Sequence, residues 1–167
     1  REKINDRKGA IDDFSQYIWY SNYNAPGFKD RQLLAQAYYQ RGKLKLAMAM
    51  EEKETPIVEE IPVIEEETPL IERESRIKDQ HQLKLLEAAR SDFQQAFKYN
   101  PNQSEVYFNL AIIASLLNHQ SLALDYYQRF IGYETEDYRG YYHRGQLYSQ
   151  WGNYAEAIKD YDLAILY

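Results

Sequence analysis

The stretch YYHRGQLYSQWGNYAEAIKDYDLAI, residues 141–165, carries two helical patterns separated by a polar break at Gly152-Asn153. Its second half places Ala157, Tyr161 and Ala164 three and four residues apart, the spacing of one helix face. Its first half sets Gly145 inside a helix, where glycine costs about 1 kcal/mol relative to alanine. The chain repeats the arrangement. VYFNLAIIASLLNHQSLALDYYQRFI, residues 106–131, aligns at an offset of 34, pairing Tyr107 with Tyr141, Ala111 with Gly145, Asn118 with Gly152, Ala123 with Ala157 and Tyr127 with Tyr161. AARSDFQQAF (88–97) repeats the second helix at an offset of 68, and GAIDDFSQYI (9–18) repeats it again with Ala10, Phe14 and Tyr17. YYQRGKL (38–44) matches YYHRGQL (141–147). The period explains the glycine. Small residues sit where two antiparallel helices cross, so Gly145, Gly42 and Ala111 allow close approach, and Gly152 takes the C-terminal turn of a first helix.

The 34-residue period, the aromatic-x-x-Arg-Gly opening, the Gly-x-Tyr turn and the AEAIKDYDLAI helix resemble the tetratricopeptide repeat (TPR) family, and Pro101 fits its closing proline. The resemblance implies an all-α fold, a right-handed α-solenoid of antiparallel helix pairs. It counts about three and a half units: a partial repeat at 1–24, a split repeat at 29–103, a repeat at 104–137 and a last repeat at 138–167. Arg41, Arg144, Lys45 and Thr135 depart from the pattern and leave local packing open.

The split repeat has its first helix at about 29–50 and its second at about 81–99, around an insert at 51–80. That insert holds three of the five prolines and no glycine or aromatic residue. Its Pro-aliphatic-aliphatic-acid echoes (TPIVE, IPVIE, TPLIE) favour extended backbone. The chain carries a formal charge of −6, and residues 51–79, with eleven acids and four bases, account for −7. Everything else sums to +1, so there is no basic nucleic-acid stripe. The insert reads as a solvated loop, or as a strip that docks on its own repeat surface or on a partner. IPVIEEE (61–67) also resembles a SUMO-interacting motif. No apolar run approaches the roughly 20 residues of a membrane span. The chain opens on Arg1 and ends inside a helical pattern at Tyr167, as a piece of a longer or processed protein would. Location stays open, with the cytoplasm as default.

Chemistry is sparse. Without cysteine, thiol catalysis and cysteine-ligated metal are excluded. His81, His119 and His143 show no metal-ligand spacing. There is no phosphate loop, serine elbow or HExxH, so no enzyme activity, cofactor or metal is expected. Asp12-Asp13 and Asp160-Tyr161-Asp162 read as solvated charges on second helices. The informative surface is the concave face that the family builds from its first helices. Each opens with an aromatic doublet whose first member should pack inside. The second should face the groove, giving a row of Tyr39, Phe108 and Tyr142. Beside it run Gln40, Asn109 and His143, and one turn on Lys43, Ile112 and Gln146. Rings that bury apolar side chains beside amides that satisfy peptide backbone suit an extended peptide or a helix of a protein partner. Some family members grip a terminal carboxylate with a Lys/Asn/Arg clamp. Asn109 matches its asparagine, and Arg139 and His143 approximate its last two members. The expected role is a protein–protein interaction scaffold or assembly factor. The alternatives are a structural spacer or oligomerisation segment, and a non-catalytic repeat region attached to an enzyme.

Overall fold

The computed structural model describes residues 2–23, 30–54 and 70–167. Seven α-helices and no strand lie within them: α1 (Glu2–Tyr23), α2 (Arg31–Glu54), α3 (Leu70–Tyr99), α4 (Glu105–Leu116), α5 (Gln120–Tyr133), α6 (Tyr138–Gln150) and α7 (Tyr154–Leu166). Each helix packs on the next in chain order, and α2 also touches α4. This serial neighbour packing is an α-solenoid.

The repeated face of the second helices forms its interior. Ala89, Phe93 and Ala96 of α3 are sealed from solvent, as are Ala123, Tyr127 and Phe130 of α5. Facing them, the first helices carry the residue that permits approach. A Cβ added at Gly145 would stand 2.9 Å from Tyr161 Cε1 and 3.2 Å from Asp160 Cβ. One at Gly42 would stand 3.2 Å from Phe93 Cε1 and 3.3 Å from Asp92 Cβ. The ring of one helix therefore rests on the bare backbone of the other, and this contact offsets the poor helix propensity. Gly140 is a further close approach, between hairpins: its Cβ would lie 2.6 Å from Ile131 Cγ1.

The two C-terminal hairpins turn alike. Asn118 and Gly152 both have positive φ, 57° and 75°. The amide of the following residue reaches back to the same carbonyl in each case, His119 N to Ala114 O at 2.8 Å and Asn153 N to Tyr148 O at 2.9 Å. Both are Schellman closures, which need glycine or asparagine at that place.

The interrupted repeat differs from its expected boundaries. Helix α2 runs to Glu54 rather than about 50, and α3 starts at Leu70 rather than about 81. Residues 51–54 and 70–80, assigned above to the insert, are helical. The prolines stop at Pro69, and LIERESRIKDQ contains neither proline nor glycine, so nothing prevents α3 from extending back toward the tip. Gln82 Nε2 donates to the Ala49 carbonyl at 2.7 Å, joining the two lengthened helices. The motif readings at 55–69, including IPVIEEE, lie outside the described residues.

Candidate functional site

The row expected on the first helices is assembled, though differently from expectation. Tyr39 and Phe108 are each only 8% exposed. The Tyr39 ring meets Phe93 edge-on at 5.7 Å, and its hydroxyl accepts from Asn109 Nδ2 at 3.4 Å. The Phe108 ring packs on Phe130 and Tyr127 and meets His143 at 5.3 Å. Asn109 and His143 are 34 positions apart, so one contact recurs: the second aromatic of a doublet packs on the polar-row residue of the next first helix. Tyr142, the third ring, is 44% exposed because none of the described helices follows α7 to cover it. Tyr39 and Phe108 are therefore inter-repeat packing residues rather than open anchors. A first helix inside a stack is flanked on both sides, and successive residues lie only about 100° apart, so both doublet members fall within its buried arc.

The row is continuous. Lys43 Nζ lies 5.7 Å from the centre of the Tyr39 ring. Asn109 also donates to the Glu105 carbonyl at 2.8 Å. Arg139 Nη2 donates to Glu105 Oε1 at 2.5 Å, and its guanidinium lies over Phe108 at 4.9 Å. His143 stacks on Tyr127 with an interplanar angle of 7°, meets Tyr142 edge-on, and its Nδ1 is 3.0 Å from Gln146 Oε1. Burial holds the His143 pKa below its ordinary value; the bond to Gln146 opposes that shift and the nearby Arg139 charge adds to it. Burial likewise raises the Tyr39 pKa, with the Glu105 charge adding to it. Ile112 packs against both core clusters. Gln40 is half-buried, and Lys43 is exposed.

This geometry weighs against a carboxylate clamp. Arg139 is held by Asp137 as well as Glu105, with Nη2 at 2.6 Å from Asp137 Oδ2. The two carboxylates raise its pKa, and an incoming terminal carboxylate would have to displace one of them.

Asp160 overturns the reading of its segment as solvated charge. It is 3% exposed and grips Arg144 in a two-pronged pair, Nε to Oδ2 at 2.8 Å and Nη2 to Oδ1 at 2.7 Å. The same fork recurs between Arg41 and Asp92, at 3.0 and 2.6 Å, and Lys45 Nζ adds a third contact at 2.8 Å. Arg41, Lys45 and Arg144, the departures from the family pattern, are thus partners of buried aspartates beside the contact glycines. The intervening repeat has Leu110 and Tyr126 at the matching positions, with Leu110 buried and Tyr126 packed on the core. The joint presence or absence of Arg and Asp at the fixed offset was the available sequence signal. Among the described residues no group of three or more His, Asp or Glu could hold a metal, and no helix is long and apolar enough to cross a membrane.

Helices paired through a glycine–aromatic crossing and stacked in series define a helical-hairpin repeat protein. Residues 138–167 match the tetratricopeptide repeat family, and the preceding hairpins carry the same positions by internal repetition. Residues 138–167 are thus similar to a tetratricopeptide repeat, the last of a series of stacked helical hairpins. No relative among curated proteins matches by sequence. Among solved structures, two crystal structures of MamA each align over 98% of this chain at 16% identity and a TM-score of 0.48, covering 90% and 84% of their own chains. A third, designated MamA AMB-1, aligns over 98% of this chain and 87% of its own at 17% identity and a TM-score of 0.46.

Proposed function

We propose that the chain is a scaffold that holds an extended peptide segment or a helix of a partner protein against the faces of α2, α4 and α6. One observation carries this reading: contacts recurring from repeat to repeat lock these three helices together through Tyr39–Asn109 and Phe108–His143. The lock fixes the spacing of the side chains that stay accessible, Gln40, Lys43, Tyr142 and Gln146. A rigid wall avoids part of the ordering cost of association. Tyr142 offers an aromatic platform, and the two amides can satisfy peptide backbone groups. Tyr39, Phe108, Asn109, Ile112, Arg139 and His143 belong to the same site as its support.

The test begins with partner capture by this chain, with and without residues 51–80. Against one captured partner, Tyr142→Ala and Gln146→Ala should each weaken binding about tenfold or more while leaving the melting temperature unchanged. Asp162→Asn, on an exposed second-helix position, should bind normally. Normal binding by both groove variants, with loss on replacing Glu65, Glu66 and Glu67 by Gln, would assign the contact to the acidic insert instead.

A structural spacer is the second reading. Ile165 of α7 is 84% exposed, whereas its counterpart Ile131 is 9% exposed beneath the next hairpin. That face suits stacking of a further helix. Concentration-dependent self-association that Ile165→Glu abolishes would favour it.

A further inference from the structure

Helix α1 carries the residues of a second helix. Ala10, Asp13, Phe14 and Tyr17 stand at the positions of Ala157, Asp160, Tyr161 and Ala164, and of Ala89, Asp92, Phe93 and Ala96. In α3 that whole face is buried, because the Arg-Gly helix α2 lies on it. In α7 the Arg-Gly helix α6 buries Ala157 and Asp160. In α1 it lies open: Ala10 and Phe14 are only partly buried, Tyr17 is 38% exposed, and Asp13 is exposed with no hydrogen-bond or ion-pair partner among the described residues. The exposed ring of Tyr20, one turn beyond Tyr17 on the same side, extends the uncovered surface.

From this we infer that the open face of α1 is a docking site for an amphipathic helix carrying an aromatic pair followed by x-Arg-Gly, with its arginine forked on Asp13 and its glycine over Phe14. Two features select this occupant. The first is charge complementarity. Both buried counterparts of Asp13 are held by an arginine whose Nε and Nη2 reach the two carboxylate oxygens, and in both the next residue is a glycine under the adjoining aromatic ring. The second is continuity with an established interface. Phe14, at one edge of this face, packs against the buried cluster built around α2, and Arg41 of α2 donates from Nη1 to the neighbouring Ser15 at 3.0 Å, so the edge of this face adjoins the stack that a further helix would extend. A residue larger than alanine at the glycine position is disfavoured, because its side chain would meet the Phe14 ring as it would meet Tyr161 at Gly145; the intervening repeat holds Ala111 there. A helix without the arginine would cover Asp13 and leave a buried carboxylate unpaired.

The probe is a capped, fluorescein-labelled peptide with the α6 sequence, residues 138–150, titrated into the full chain by anisotropy. Saturable binding is expected. Asp13→Asn in the chain, or Arg144→Gln in the peptide, should each weaken it about tenfold or more, and Asp162→Asn in the chain should not. The peptide arm tests the pair without any change to the folded chain. Reversing both charges, Asp13→Arg against an Arg144→Asp peptide, should recover binding that either reversal alone abolishes. Absence of saturable binding, or binding indifferent to Asp13 and to the peptide arginine, would overturn the inference.

Discussion

The Arg144–Asp160 pair allows a quantitative test that the chain has partly run on itself. Arg144→Leu removes both prongs of the fork and strands an aspartate whose side chain is 4% exposed. Breaking a buried pair from one side costs about 3–5 kcal/mol. The arginine side chain is 18% exposed, so solvent reaches part of the pair, and the expected loss is at the lower end, about 3 kcal/mol. Asp160→Tyr leaves the arginine, which can turn toward water, and should cost about 1–2 kcal/mol. The double variant Arg144→Leu/Asp160→Tyr recreates the Leu110/Tyr126 pairing of the preceding repeat. It should lie within about 1 kcal/mol of the parent, since an apolar pair of similar volume replaces a buried ion pair at little cost. The assay is urea unfolding followed by Trp151 fluorescence in a Trp19→Phe background, which reports on the last hairpin. For a chain of this size, about 3 kcal/mol corresponds to roughly 6–12 °C in melting temperature. Double-variant losses equal to the sum of the singles would refute the reasoning, because they would mean that the two side chains act independently.

Three further outcomes are expected. Gly9→Ala, where an added Cβ meets nothing within 4 Å, should stabilise α1 by about 0.5–1 kcal/mol; Gly145→Ala, which must displace the Tyr161 ring, should not stabilise the last hairpin, and paired thermal melts compare them. Phe108→Ala should cost about 3–5 kcal/mol in denaturant titration, because the ring sits among Tyr127, Phe130, His143 and the Arg139 guanidinium. His143 has a lowered pKa in the fold, so below pH 6.5 the unfolded chain binds the extra proton first. Its contribution is complete above that pH and is lost as pH falls toward the folded value. Unfolding of the parent and of His143→Gln at pH 7.5 and 5.5 should show a steeper acid loss in the parent.

The repeat was legible because it rests on size: alanine at 89, 123 and 157 and glycine at 42 and 145 are fixed by how closely helices cross, and size survives in the one-dimensional pattern. Polar burial was harder to see. Asp160 sits between Lys159 and Tyr161, beside the exposed Asp162, and only the facing helix decides which carboxylate is enclosed. The aromatic doublets misled for a related reason. Whether Phe108 faces a groove or a neighbour depends on the next hairpin, 35 residues away, and no local periodicity encodes that. The boundary at Leu70 lay in a change of composition inside the insert: residues 55–69 hold five acids, no base and three prolines, whereas residues 70–80 balance three acids with three bases and hold no proline.

The insertion within the second hairpin has a consequence for the order of folding. Arg41 and Asp92, which seal that hairpin, are 51 residues apart, whereas Arg144 and Asp160, which seal the last one, are 16 apart. Closing the longer loop costs about 1 kcal/mol more in chain entropy, enough to slow an otherwise identical event about fivefold. The two C-terminal hairpins, each closed over a short separation, are thus expected to form ahead of the interrupted one. Destabilising changes near Gly145 should slow refolding, and equivalent changes near Gly42 should chiefly speed unfolding.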